Sequence, residues 1–321
     1  MLGDVSAAGK YGGGWRRIER NGIVVWERVM PPISPRALQC VFYLYPSEAE
    51  ALAGDSEGGC GFLVCIPSDQ HRGLRFLYAI TNRHVIEHPD SPARFARFNR
   101  SDGTTDVREL TDWTSHRGGY DLSACPLEST PEHEVLCMMP DEKDEEFFVK
   151  ETMLFSPGED VVMIGRFIEY GGKLTNTPCV RFGNISMLPV EPMEVNAYGA
   201  REHLFLVEMR SLSGFSGSPV MLMRNPGPNL APDLNVHREW FLGIDEGHLD
   251  VYEPVRDQNT KLPVRPAQCV RVNSGMTRVI PAWRLTELLQ APTFIEQRAK
   301  LDALKSKEIR EARTHNAEDS A

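Results

Sequence analysis

An all-β fold, sandwich or barrel, is what the sequence predicts, and three observations predict it. Short apolar runs rich in Val, Ile, Phe and Tyr recur from about residue 22 to residue 280, among them "GIVVWERV", "ALQCVFYLY", "LRFLYAITN" and "DVVMIGRF". Most are four to nine residues long, which suits strands rather than helices. Clusters of Gly, Pro, Asp and Asn separate them, without the regular alternation of strand and helix that marks a parallel sheet.

Taken in chain order, residues 1–34 read as an N-terminal arm that carries "GIVVWERV". Residues 35–148 form a first half with the runs "ALQCVFYLY", "GCGFLVCI" and "LRFLYAITN". It closes on the acidic run "DEKDEEFF" (141–148), whose charge predicts a solvated linker. Residues 149–290 form a second half with "DVVMIGRF", "CVRFGNISML", "HLFLVEM", "SPVMLM" and "WFLGI". Two long loops, 224–239 and 253–268, interrupt it, and loops of that length are either disordered or functional. "PAWRLTELLQ" (281–290) predicts a helix, with Pro281 near its start and Pro292 past its end. The tail 291–321 is charged: ten of the twenty residues from Phe294 to Arg313 are ionic, and Gly and Pro are absent there. A mostly exposed helix follows, supported by the Glu296–Lys300 pair.

Composition narrows the function classes. The chain has 321 residues, 41 % apolar and 25 % charged, with a formal charge of −10. That charge argues against nucleic acid or an anionic membrane as the main partner. No apolar run approaches the length that spans a bilayer, and the N-terminus lacks the apolar core of a secretory signal, so a cytoplasmic location is expected. The seven cysteines include no CxxC pair and no zinc-like Cys/His spacing. Several sit in apolar runs, where a reduced Cys is a small hydrophobe. No disulfide framework, metal or cofactor is expected.

"SLSGFSGSPVML" (211–222) carries the chemistry. It sets Ser216 in a tight glycine turn running straight into an apolar strand. A serine hydroxyl needs a neighbouring base, usually a His oriented by a carboxylate. It also needs N–H donors for the oxyanion, which a glycine turn supplies. "YAITNRHVIEHPD" offers His84 just past a strand, and "HRGGYDLSACPL" offers Asp121 after two glycines. Alone, His84 reads as a strand-end polar residue and Asp121 as a turn or cap residue. Their joint order gives them weight: His84, Asp121 37 residues on, and Ser216 a further 95. His71 and His88 read as loop histidines. His116 has no evident partner, and His248 reads as a surface turn near the cleft. The α/β-hydrolase elbow is excluded, because Ser218 stands where its second glycine belongs and Pro219 leads into a strand.

"AITNRHVIE", "YDLSACPL" and "GFSGSPV" resemble the three catalytic blocks of trypsin/chymotrypsin-like serine peptidases, closer to the bacterial branch with the HtrA group. "GCGFLV", "VRFGNISMLP", "FLGIDEGH" and "RVIPAWRLTELL" fit the same order, so the likeness runs from 35 to 290, about four fifths of the chain. The resemblance implies two perpendicular six-stranded antiparallel β-barrels with a C-terminal helix. His84 and Asp121 would lie on the first barrel (35–148) and Ser216 on the second (149–290). It implies Ser216 as nucleophile, His84 as base, Asp121 as its orienter, and an oxyanion hole from the N–H groups of Gly214 and Ser216. No PDZ-like domain is expected after 290, where about 30 residues remain.

Two departures bear on activity. Phe215 replaces the Asp or Asn usual before the nucleophile, which implies that the oxyanion loop needs a partner or ligand to organise it. Arg210 stands six residues before Ser216, where the floor of the primary pocket lies, implying affinity for acidic side chains unless Asp245 or Glu246 neutralises it. The expected function is a serine endopeptidase acting on proteins or peptides. The alternative is a non-catalytic or partner-activated binding module, with the charged tail docking an activating protein.

Overall fold

The structure, a computed structural model, describes residues 15–20, 23–28, 33, 35–55, 58–100, 102–128, 148–193, 196–224, 238–264 and 267–318. Most of the acidic run and of the loop at 224–239 lie outside the described residues. The chain opens with a hairpin of β1 (Trp15–Arg20) and β2 (Ile23–Arg28). Then follow α1 (Pro35–Gln39), β3 (Val41–Tyr45), α2 (Glu48–Ala53), β4 (Cys60–Pro67), β5 (Arg75–Thr81) and α3 (Arg83–Ile86). β6 (Phe95–Asn99), β7 (Thr105–Glu109), β8 (Thr114–Ser115) and β9 (Ser123–Leu127) complete the first half. The second half holds β10 (Asp160–Gly165), β11 (Cys179–Met187), β12 (Phe205–Glu208), β13 (Pro219–Arg224), β14 (Arg238–Pro254) and β15 (Cys269–Pro281). Two helices, α4 (Ala282–Leu289) and α5 (Pro292–Glu318), end the chain.

The fold is mostly β, as expected. β10–β15 close an antiparallel barrel in the order β10-β11-β12-β15-β14-β13. The first half differs in detail from six closed strands: it is a seven-stranded antiparallel sheet, β7-β6-β3-β4-β5-β9-β8. Its end strands β7 and β8 do not pair with each other, and β8 has only two residues.

The unbroken apolar runs have a physical reason. Successive side chains on a strand face opposite ways. Val41, Tyr43, Phe62, Val64, Tyr78 and Ile80 enter a large core shared with the barrel. Phe42, Leu44, Leu63, Ala79 and Cys125 fill a second core with Val85 and Leu110. Both faces are covered, so both parities are apolar. The seam between sheet and barrel lies beside the shared core, where β4 begins and β5 ends.

Three expectations change. "ALQCVFYLY" is not one strand: its first residues belong to α1, and the strand starts at Val41. Cys65, read as a reduced hydrophobe, is disulfide-bonded, while Cys40, Cys60, Cys125, Cys179 and Cys269 are in no disulfide. The tail is helical, as expected, but anchored as well as exposed. Phe294 is buried edge-on against Tyr78, and Ser68 Oγ donates to the Asp302 carboxylate at 2.6 Å. Arg298 donates to Tyr78 Oη and to the Leu289 carbonyl at 3.1 and 2.9 Å. His71 Nε2 lies 2.9 Å from Ser306 Oγ, giving this loop histidine a helix partner. Among the described residues no helix is long and apolar enough to cross a membrane.

Candidate active site

β5 delivers the chain into the one-turn helix α3, which carries His84. Asn82, fully buried between them, stays extended and donates from Nδ2 to the Asp121 carbonyl at 2.9 Å. The backbone N–H of His84 donates to Asp121 Oδ1 at 2.8 Å, and His84 Nδ1 lies 2.5 Å from Asp121 Oδ2. One carboxylate therefore grips both the main chain and the ring of the same histidine. With the Nδ1–H donated to the carboxylate, Nε2 keeps its lone pair as an acceptor. The Asp121 side chain is 6 % exposed and that of His84 40 %, so the pair has a buried end and an open end. Asp121 is held from behind by Glu202, whose Oε1 accepts its backbone N–H at 3.0 Å.

Ser216 is placed by two consecutive turns. Phe215 N–H donates to the Leu212 carbonyl at 3.1 Å, and Ser218 N–H donates to the Phe215 carbonyl at 2.9 Å. The third residue of each turn is glycine, Gly214 at φ +95° and Gly217 at φ +87°. Type II turns demand that left-handed φ at this position, which is why the glycines recur at an interval of three. A Cβ on Gly217 would strike the Cys60 carbonyl, and one on Gly214 would lie 2.6 Å from Ile168 Cγ1. Cys60 N–H donates to the Ser216 carbonyl at 3.0 Å, tying the turn to the start of β4. Phe215 is fully buried, with the Arg181 guanidinium 5.4 Å from its ring centre. An apolar anchor therefore holds this loop. Among the described residues, the N–H groups of Gly214 and Ser216 have no acceptor.

His84, Asp121, Gly214 and Ser216 line one cavity of about 570 Å³. Gly247, at φ +138°, borders it, and even a Cβ there would stay 3.8 Å from Ser216 Oγ, so the hydroxyl is open on that side. Among the described residues Ser216 Oγ and His84 make no direct hydrogen bond. His248, expected in a surface turn, lines the cavity and lies 3.3 Å from Asp250. His88 lines it too, while His116 pairs with Glu287 of α4 at 3.2 Å.

The pocket residues fall differently from expectation. Arg210 is exposed and does not line the cavity, which corrects its placement as the pocket floor. The neighbouring Ser211 is buried instead. Asp245 is fully buried and accepts from Ser211 Oγ at 3.0 Å and from Thr277 Oγ1. Burial pushes its carboxyl up to about 7, against the opposing pull of those two hydroxyls. Glu246 lines the cavity wall, pairs with Arg278 at 3.3 Å, and is pushed up to about 8 by burial. Its Oε2 has no hydrogen-bond partner among the described residues.

Arg278, Tyr198, Asn196 and Glu202 were missed by sequence reasoning. Nothing local marks them, because their role arises only from contacts with residues far along the chain. Among the described residues no group of three or more His, Cys, Asp or Glu is placed to hold a metal ion.

No family model matches the sequence, and no curated protein matches it. Among solved structures the chain is similar to Deg5, at 14 % identity over 65 % of this chain and 80 % of that one, with a TM-score of 0.39. It is also similar to the inactive form of Rv3671c protease, at 14 % identity over 79 % and 88 %, with a TM-score of 0.38.

Proposed function

We propose that the chain is a serine endopeptidase that hydrolyses peptide bonds of proteins or peptides through Ser216, His84 and Asp121. The observation that carries this reading is an imidazole gripped by a buried carboxylate, facing the same cavity as a serine whose turn leaves two N–H groups without acceptors. His84 Nε2 takes the Ser216 proton as Oγ bonds to the substrate carbonyl carbon. The oxyanion so formed accepts from the N–H groups of Gly214 and Ser216. The intermediate then collapses: the C–N bond breaks, His84 passes its proton to the departing amine, and an acyl-enzyme on Ser216 remains. Water, deprotonated by His84, repeats the sequence and releases the acid.

A fluorophosphonate probe tests this. The wild type should be modified on Ser216, Ser216→Ala should not be modified at all, and its peptidase activity should fall at least about 1000-fold. An unmodified wild type overturns the reading.

One observation favours the alternative, a peptidase-fold module that binds without cutting or needs a partner. Ser216 and His84 are not hydrogen-bonded to each other, although catalytic hydrogen bonds often tighten only in complexes. Under that alternative an activating protein would dock on α5, where Leu301 and Leu304 are exposed.

A further inference from the structure

The segment from Asn196 to Glu202 belongs to the connection between β11 and β12 of the barrel, yet its side chains reach the other half of the molecule. Asn196 Nδ2 donates to the Gly119 carbonyl at 2.8 Å. Asn196 Oδ1 accepts the N–H groups of Tyr198 and Ala200 at 3.0 and 2.9 Å, and its own N–H donates to the Ala200 carbonyl at 2.8 Å. One asparagine therefore both folds the segment and fastens it to the loop before Asp121. The fit is close: a Cβ on Gly119, at φ +77°, would come within 2.9 Å of Ala200 Cβ. The Tyr198 ring lies under the guanidinium of Arg83, the residue before His84, at 4.2 Å. Glu202, buried, accepts the Asp121 N–H, and the next residue, His203, donates its own N–H to Tyr120 Oη at 3.2 Å.

We infer that the Asn196–Glu202 segment is a clamp thrown from the barrel onto the sheet, and that Glu202 is a positioning residue for the His84–Asp121 pair. This rests on the serine-hydrolase reading above. The physical case is the cost of the arrangement. Burying a carboxyl is unfavourable, and burial does raise the Glu202 proton affinity. The first offsetting interaction is the Asp121 N–H, a buried donor that would otherwise go unmet, with the Asn196 side chain and the Arg278 guanidinium acting in the same direction. That N–H belongs to the residue whose side chain orients the imidazole, so a relaxed turn there moves the carboxylate. Asn196 and Tyr198 also line the cavity, so an occupant of the cleft touches the clamp itself.

The test compares Glu202→Ala with Glu202→Gln, which keeps an oxygen acceptor, both normalised to fluorophosphonate-titrated sites. Glu202→Ala should lower kcat about 10- to 100-fold with little change in KM, as misplacement of a catalytic group does. Glu202→Gln should restore most of the loss, and amide exchange over 118–122 should accelerate only in the Ala variant. If Glu202→Ala fails to fold, Asn196→Asp carries the test instead: it keeps the acceptor for the Tyr198 and Ala200 N–H groups but loses the donor to the Gly119 carbonyl, so kcat should fall and exchange over 118–122 accelerate. A wild type that labels, with Glu202→Ala within twofold of it in kcat and exchange unchanged, overturns the clamp alone. A wild type that does not label overturns the hydrolase reading and the clamp's catalytic meaning with it.

Discussion

The two halves of the candidate site are built by opposite means. The half on the sheet is held by side chains: Asn82, Asp121 and Glu202 each spend a polar group on a specific backbone atom. The half on the barrel is held by backbone conformation, two glycine-closed turns and one buried phenyl ring. Geometry fixed by φ tolerates no Cβ, whereas geometry fixed by hydrogen bonds tolerates substitutes with the same donors and acceptors. The two halves should therefore fail differently when mutated.

The largest effect is expected on the barrel side. Gly217→Ala forces a side chain into left-handed φ and onto the Cys60 carbonyl, which should cost about 3 kcal/mol or more and abolish activity. Chemical denaturation checks it, and a variant of native stability would remove the turn argument. Phe215→Asp places a carboxyl in a fully buried apolar site. It should destabilise by about 2–5 kcal/mol and give no gain in labelling rate. A gain would mean that the oxyanion loop lacks a polar tether.

The smallest effect is a slope. Burial holds Glu246 and Asp245 protonated up to about 8 and about 7, against ordinary values of 4.5 and 3.8. Across that interval the unfolded chain has released protons that the folded chain retains. Stability is thus fullest below about pH 4 for these two groups and declines as pH rises towards 8. Glu246→Gln should flatten the decline between about pH 5 and 8, read from urea midpoints, and an unchanged slope would contradict the burial argument.

The contrast between the halves also explains what was legible. Turn chemistry is local, so "GFSGS" announced its own geometry, and strand runs announced theirs by length and β-branched content. His84 and Asp121 were legible because each sits where a strand ends or begins. Glu202 and Asn196 were not, since their partners lie 81 and 77 residues away. Arg210 failed for a finer reason. It lies past the end of β12, where the chain is irregular, and no local signal says that Ser211 is buried and Arg210 exposed. The helices α1 to α3 are too short to show a helical period.

The central claim is that Ser216, His84 and Asp121 act as one unit across the seam. Hydrolysis of an activated ester by Ser216→Ala, His84→Ala and the double variant tests it most directly. The account predicts the same low residual rate from all three, because losing either partner already disables the unit. Losses that multiply in the double variant, or a His84→Ala enzyme close to wild type, would contradict it.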